Sequence, residues 1–137
     1  MAHQVRSAEY FKLEVPDKHG EAVRALNVLR GAGINLLAFH GFPLRKKSQL
    51  DLVPEDGAKL KALAKRAGWK VGAAKTCFLV SGEDRSGALA DALGQLGKAR
   101  VNIVATSGVI AGEGRFGAIV WVAPRDVKKA AKAFGIA

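Results

Sequence analysis

Residues 15–35 read VPDKHGEAVRALNVLRGAGIN, and residues 81–103 return to the same pattern as SGEDRSGALADALGQLGKARVNI. Identical residues 67 positions apart link the two stretches, among them Asp17 with Asp84, Gly20 with Gly87, Leu26 with Leu93, Leu29 with Leu96, and Asn35 with Asn102. The chain therefore contains a duplicated unit. Each copy has a strand, an acidic turn with a glycine, a helix, and a second strand that begins near an asparagine.

The length and composition bound the class of protein. The 137 residues are enough for two units of about 65 residues, and a unit of that size is marginal as a lone core. We therefore expect the copies to pack on each other or to share a sheet. With 49% hydrophobic and 25% charged residues, the composition is that of a globular protein. The sequence shows no apolar run of membrane-spanning length and no apolar signal region, so we expect no membrane association and a cytoplasmic location.

The charge is strongly positive, at +10 from 22 basic and 12 acidic residues. Residues 1–72 carry 13 basic and 7 acidic residues, and residues 73–137 carry 9 and 5, so the excess is spread over both copies. Such a field attracts anions and can bind nucleic acid without sequence preference. A solvated basic surface explains the same excess without any partner.

The first copy, residues 1–72, opens with a polar lead over residues 1–8. Alternating apolar residues predict strands at 10–15, 34–39 and 48–53, and a short last strand at 69–71. An apolar stripe at helical spacing predicts a helix over 21–30, with Asp17 as the cap and with Gly20 permitting close backbone approach or a positive φ. A second helix over 56–67 begins at Asp56, the expected cap.

The second copy, residues 76–137, follows a linker at 72–75 and repeats the order. It predicts strands at 76–80, 101–108 and 116–122, helices at 86–96 and 126–133, and a stub of strand at 134–137. Each copy is then β-α-β-β-α-β, the ferredoxin-like order of an α+β protein. Its antiparallel sheet has both helices on one face, so the other face must be solvated, bind a ligand or meet a partner.

The sequence gives little support for dinucleotide binding, a reactive thiol, a metal site or catalysis. Residues 112–117 match G-x-G-x-x-G, but the predicted strand follows the glycines, whereas a dinucleotide site needs a strand before them and a helix after. Cys77 lies in an apolar strand, which predicts a buried, inert thiol. The spacing of His3, His19 and His40 is not that of metal ligands. The sequence also shows no recognisable pairing of a nucleophile with a base. We therefore expect no enzymatic activity, no cofactor and no metal.

Residues 115–122 are similar to the aromatic strand of RNA-recognition motifs. Ile119, however, replaces the stacking aromatic, and the matching strand at 48–53 has no aromatic residue. Because this mode of binding requires exposed aromatic platforms, we do not expect nucleic acid as the main partner.

The repeated turn offers more specific chemistry. A strand that runs into D-x-x-G and then a helix exposes unpaired amides at the positive end of the helix dipole, which suits a carboxylate. Asn35 and Asn102, at the start of the second strands, can donate to a carboxylate or accept from an amine. In either copy taken alone, the same residues are explained equally well as a helix cap and a turn asparagine that bind no ligand.

At these residues the chain resembles the ACT-domain family, as a tandem pair. The D-x-x-G turns at 17–20 and 84–87 and the I/V-N pairs at 34–35 and 101–102 carry the resemblance. It implies small regulatory modules that bind amino acids or related molecules, and domains that join side by side into an eight-stranded sheet. Ligands would lie between the first turn of one domain and the second strand of the other.

The resemblance also implies two related ligand sites. Their residues would be Asp17, His19, Gly20, Asn35, Asp84, Ser86, Gly87 and Asn102. Gly33 in the first copy is replaced by Arg100 in the second, so the sites are expected to differ in charge. The leading hypothesis is a non-catalytic, allosteric amino-acid-binding protein that is dimeric and acts on an enzyme. The alternatives are a basic nucleic-acid-binding module and a protein-interaction module without a ligand.

Overall fold

The computed structural model describes residues 3–136, which form an α+β fold of strands, helices and one short 3₁₀ turn. The strands are β1 (His3–Pro16), β2 (Leu36–Leu44), β3 (Lys47–Pro54), β4 (Lys75–Glu83), β5 (Ile103–Ile110) and β6 (Arg115–Val122). The helices are α1 (Glu21–Gly31), α2 (Gly57–Ala67), α3 (Ala88–Lys98) and α4 (Val127–Phe134), with the 3₁₀ turn at Pro124–Asp126. Among residues 3–136, no helix is both long enough and apolar enough to cross a membrane.

The chain divides into two compact units. The first unit is Glu9–Lys75, and the second unit comprises residues 76–136 together with residues 3–8. The first residues of β1 thus group with the second half of the chain, whereas the sequence pattern places them in the first copy. The domains 1–72 and 76–137 remain a prediction.

In the first unit the strand order is β2-β3-β1, and both pairings are antiparallel. Alternate residues of the strands face the helices, so Phe11 and Leu52 lie opposite each other in the core and are fully buried. Leu29 of α1 and Leu60 of α2 cover this face. The helix face of the sheet is therefore dry, as the apolar stripes predict.

The ends of the first unit's helices follow local chemistry. Asp56 caps α2 as predicted, since its Oδ1 accepts a hydrogen bond from the Lys59 amide at 3.1 Å. Gly68 ends the same helix in the left-handed region, at φ 72°. On the other face of the sheet, Gln49 Nε2 donates to Oδ1 of the buried Asp51 at 3.0 Å, which satisfies a carboxylate that would be costly to bury alone.

The second unit has the strand order β1-β4-β6-β5, with residues 3–8 supplying the β1 part. Phe78 and Val120 pair across β4 and β6 and are fully buried in its core. Val5 packs against the same core. The start of the chain thus serves as the fourth strand of this sheet.

Three expectations about strands are wrong. Residues 69–71 and 134–136 form no strand, and Phe134 belongs instead to α4. The polar lead at 1–8 is strand from His3 onward, while residues 1 and 2 lie outside the described residues, as does residue 137. The described residues therefore contain six strands rather than eight, because neither copy builds its own fourth strand.

Other expectations are confirmed. Cys77 is fully buried in β4. A strand, β6, follows the glycines of residues 112–117. Phe116 and Trp121, the aromatic residues of the stretch at 115–122, are 4% and 5% exposed, so neither offers the exposed platform that stacking on a base requires.

The duplication predicts equal roles for Leu29 and Leu96, which are 1% and 0% exposed. Replacing either leucine with alanine should lower the free energy of unfolding by about 2–5 kcal/mol, through lost burial and the cavity left behind. The control Val23→Ala, at a residue 57% exposed on α1, should change it by less than about 0.5 kcal/mol. Urea denaturation measures all three, and a cost for Leu96→Ala as small as the control's would contradict a shared core role.

Candidate functional site

The first glycine turn joins β1 to α1. The Lys18 amide donates to the Pro16 carbonyl at 2.9 Å, and the Arg24 amide donates to the Gly20 carbonyl at 2.8 Å. Gly20 adopts φ 85° and is the N-cap of α1, so of the two roles open to it the structure shows the positive φ. Asp17, His19 and Gly20 are all exposed, so a ligand can reach this turn.

Asp17 does not cap α1, contrary to expectation. The helix has no side-chain cap, and Asp17 Oδ1 instead accepts a hydrogen bond from Ser48 Oγ at 3.1 Å. Ser48 lies near the start of β3, so this hydrogen bond links the turn to the sheet. Among residues 3–136, no side chain caps the first amides of α1.

The second glycine turn shares the positive-φ glycine N-cap of the first. The Asp84 amide donates to the Gly114 carbonyl at 2.8 Å, and the Asp91 amide donates to the Gly87 carbonyl at 2.9 Å. Gly87, the N-cap of α3, adopts φ 83°, and α3 also has no side-chain cap. Asp84, Ser86 and Gly87 are exposed.

An ion pair distinguishes the second turn from the first. The Arg85 guanidinium contacts the Asp91 carboxylate in the first turn of α3. Its hydrogen bond and positive charge hold the pKa of Asp91 below its ordinary value. The first turn has a looser counterpart, with Glu21 Oε2 3.6 Å from the Arg24 guanidinium. Sequence comparison alone missed the Arg85–Asp91 pair because Asp91 falls on Arg24 of the first copy.

The asparagines precede β2 and β5 and are exposed. Asn35 Nδ2 donates to Glu55 Oε2 at 3.2 Å, and the Glu55 amide donates to the Asn35 carbonyl at 3.0 Å. Asn102 lies two residues after Arg100, a non-glycine residue at φ 61°. Asn35 is therefore fixed against the segment that leads into α2.

Within each unit the glycine turn and the asparagine lie at opposite ends of the sheet. Pro16, at the turn, pairs with Lys47 at the start of β3, whereas Leu36, next to Asn35, pairs with Pro54 at its end. Seven strand residues separate these ends by about 20 Å. The second unit has the same arrangement. Glu83, at its turn, pairs with Arg115 at the start of β6, whereas Ile103, next to Asn102, pairs with Val122 at the end of β6. A single unit thus does not bring its turn and its asparagine together.

A cavity of about 450 Å³ lies beside Asn35 in the first unit. Arg30 and Asn35 supply its polar side chains, and Leu26, Leu29, Ile34 and Leu36 supply apolar walls. Arg30 Nη2 donates to Asn27 Oδ1 at 2.7 Å, which orients the guanidinium. An arginine and an asparagine over an apolar floor can hold the carboxylate and the side chain of a small molecule. Sequence reasoning overlooked Arg30 because its counterpart in the second copy is Gly97.

No group of three or more His, Cys, Asp or Glu side chains among residues 3–136 is placed to hold a metal ion. His40 is half-buried and packs against Phe42 in a tilted arrangement, with ring centroids 5.4 Å apart.

Solved structures show the same fold. A protein from Bacteroides thetaiotaomicron aligns with a TM-score of 0.77 and 21% identity, covering 93% of this chain and 88% of its own. The regulatory subunit of aspartate kinase from Thermus thermophilus aligns at 0.63 and 18% identity, covering 97% and 94%. The corresponding subunit from Thermus flavus aligns at 0.56 and 18%, covering 98% and 94%.

No protein-family model matches the chain. A search of curated proteins also finds no match. The structural likenesses establish an ACT-like, ferredoxin-type fold of the kind found in aspartate kinase regulatory subunits.

The positive φ of Gly87 gives a direct test of the turn. A Cβ at Gly87 would meet open space apart from the tip of Arg85, so Gly87→Ala should destabilise through backbone strain alone, by about 1–2 kcal/mol. The matched control Gly94→Ala lies inside α3 in open space and should stabilise by about 0.5–1 kcal/mol. Thermal and urea unfolding measure the change in stability for both substitutions. Changes of the same sign would contradict the positive φ of Gly87.

The Arg85–Asp91 pair makes a prediction about pH. Arg85→Gln should raise the pKa of Asp91 toward its ordinary value, as measured by carboxyl NMR titration. Since the folded-state pKa is lowered, the pair's stabilisation is present above the unfolded pKa and is lost as pH falls through the folded pKa. The stability gap between wild type and Arg85→Gln should therefore close in acid. Arg125→Gln is the control, and an unchanged Asp91 pKa in Arg85→Gln would exclude the pair.

Proposed function

We propose that this protein is a non-catalytic regulatory protein that binds an amino acid or a related small molecule at an interface between two ACT-like domains. The observation that carries the proposal is the fold shared with aspartate kinase regulatory subunits over nearly the whole length of both chains. We further propose that it acts in the cytoplasm as a homodimer and alters the activity of an enzyme. Side-by-side joining of ACT-like sheets is part of the same proposal.

The separation of turn and asparagine within a unit supports a site made from two domains. One domain would contribute the turn Asp17–Gly20 or Asp84–Gly87, and another would contribute Asn35 or Asn102. Turn amides alone would favour the ligand carboxylate at the turn, because the first amides of α1 and α3 have no side-chain cap and can donate to it.

The cavity beside Asn35 refines the assignment of charges. Arg30 is a stronger partner for a carboxylate than turn amides, because a guanidinium can donate two parallel hydrogen bonds. Glu21 and Asp91, in the first turns of α1 and α3, reduce the positive potential at those helix ends. We therefore assign the ligand carboxylate to Arg30 and the ligand amine to the acidic turns.

The two sites would not be equivalent. The first copy has Arg30 and Gly33 where the second has Gly97 and Arg100, so the guanidinium stands at a different point of the loop before the asparagine. Gly33 adopts φ 71° and Arg100 adopts φ 61°, so the backbone is alike while the charge is displaced. The two sites would then bind two different ligands, or one ligand with two affinities.

Regulation would work by a shift of population. A ligand that contacts two domains at once binds the closed arrangement better than the open one, and it can move the equilibrium only by that difference in affinity. The enzyme partner would respond to the resulting arrangement of the two domains.

A thermal-shift screen of the proteinogenic amino acids at millimolar concentration tests the proposal. A ligand present at about 100 times its Kd adds about 2.7 kcal/mol of stability, which should raise the Tm by several degrees. Arg30→Gln should abolish the response, whereas Arg66→Gln, an exposed residue in the last turn of α2, should preserve it.

Two results would contradict the proposal. One is a screen in which no amino acid raises the Tm above the buffer control. The other is a response that Arg30→Gln and Arg66→Gln reduce equally, since that would reflect net charge rather than a site.

A further inference from the structure

The first unit contains a basic cleft that the regulatory proposal does not use. The cavity has a volume of about 510 Å³. Its walls are residues 12–14 of β1, Lys47 at the start of β3, residues 68–73 and Lys75. We call it the lysine cleft. It shares no residue with the cavity beside Asn35.

The cleft exists because the first copy does not form its fourth strand. After α2 ends at Gly68, the Trp69 amide donates to the Ala64 carbonyl at 2.8 Å, and the chain turns again at Gly72, at φ 61°. Trp69 and Val71 pack against the first core, which holds the segment beside β1. Since residues 69–71 are not strand, a gap remains between this segment and β1.

The walls of the lysine cleft are strongly positive. They carry four lysines, Lys12, Lys47, Lys70 and Lys75, and one carboxylate, Glu14. Lys47 Nζ lies 4.0 Å from Glu14 Oε1, and both side chains are more than half exposed, so this pair is weak. Among residues 3–136, no salt bridge engages Lys12, Lys70 or Lys75.

A second cavity adjoins the first and extends its charge. It has a volume of about 450 Å³ and shares Glu14 and Lys47 with the lysine cleft. Arg45 and Lys46, from the turn between β2 and β3, add two further positive charges. Positive charge therefore continues along the wall from the cleft to the hairpin.

We propose that the lysine cleft binds a small anion of the oligophosphate class. Several ammonium groups on separate walls match an anion whose charges are spread along a short chain, and lysine binds phosphate as a point charge. The volume suits a small molecule. Glu14 lies where the two cavities meet and interrupts the positive surface, which disfavours a long polyanion such as a nucleic-acid strand.

Trp69 provides a direct reporter. The chain has two tryptophans, so Trp69 is the sole one in a Trp121→Phe background. Titration with inorganic tripolyphosphate should change its emission saturably, and calorimetry on the wild-type protein should give the same Kd. The second measurement keeps the test valid if Trp121→Phe folds poorly.

Substitutions locate the site. The double substitution Lys12→Gln/Lys70→Gln should weaken tripolyphosphate binding about tenfold or more, because it removes two charge-assisted contacts to phosphate. The control Lys128→Gln/Lys129→Gln removes the same charge from exposed positions on α4 and should leave the Kd within about twofold.

Four outcomes would overturn the proposal. They are no saturable binding of tripolyphosphate, equal weakening by the cleft and α4 substitutions, equal binding of citrate, and cleft-dependent binding of a single-stranded oligonucleotide in place of tripolyphosphate. None of these results depends on whether an amino acid binds at Arg30, so the two proposals fail separately.

Discussion

Burial of one face of each antiparallel sheet beneath two helices is the constraint on which both units depend. A unit of this size buries little apolar surface, so each strand residue on that face must be removed from water. Leu52 and Phe11 in the first unit and Phe78 and Val120 in the second are fully buried. The second unit completes its sheet with residues 3–8, and the first leaves a gap beside β1. The lysine cleft follows directly from that difference.

The glycine turns connect the packing to the proposed chemistry. Gly20 and Gly87 reverse the chain at positive φ, which lets α1 and α3 return over the sheet face that they cover. The same reversal places each asparagine about 20 Å from its own turn, because the helix carries the chain back along the length of the strands. Local backbone geometry therefore separates the two halves of each proposed site.

Much of the fold was predictable from local signals. The stripe that contains Ala25 and Leu29 predicted α1, Asp56 predicted the start of α2, and the alternation in residues 116–122 predicted β6. These signals work because periodicity, capping and burial act within a few residues. The candidate site was predictable only in part. The repeat indicated the turns and asparagines, but Arg30 stands at a position where the second copy has glycine, and Asp17 bonds to Ser48 rather than to α1.

The sequence by itself determined the duplication, the α+β class, the positive-φ glycines and most element positions, since each depends on short-range patterns. The tertiary structure decided which strand completes which sheet. The sequence pattern favours a strand at 69–71 and a polar lead at 3–8, yet in the folded chain residues 3–8 are strand and residues 69–71 are not. Strand pairing is a long-range choice, so β-propensity predicts it poorly. For the same reason, only the folded chain shows the lysine cleft and the distance between turn and asparagine.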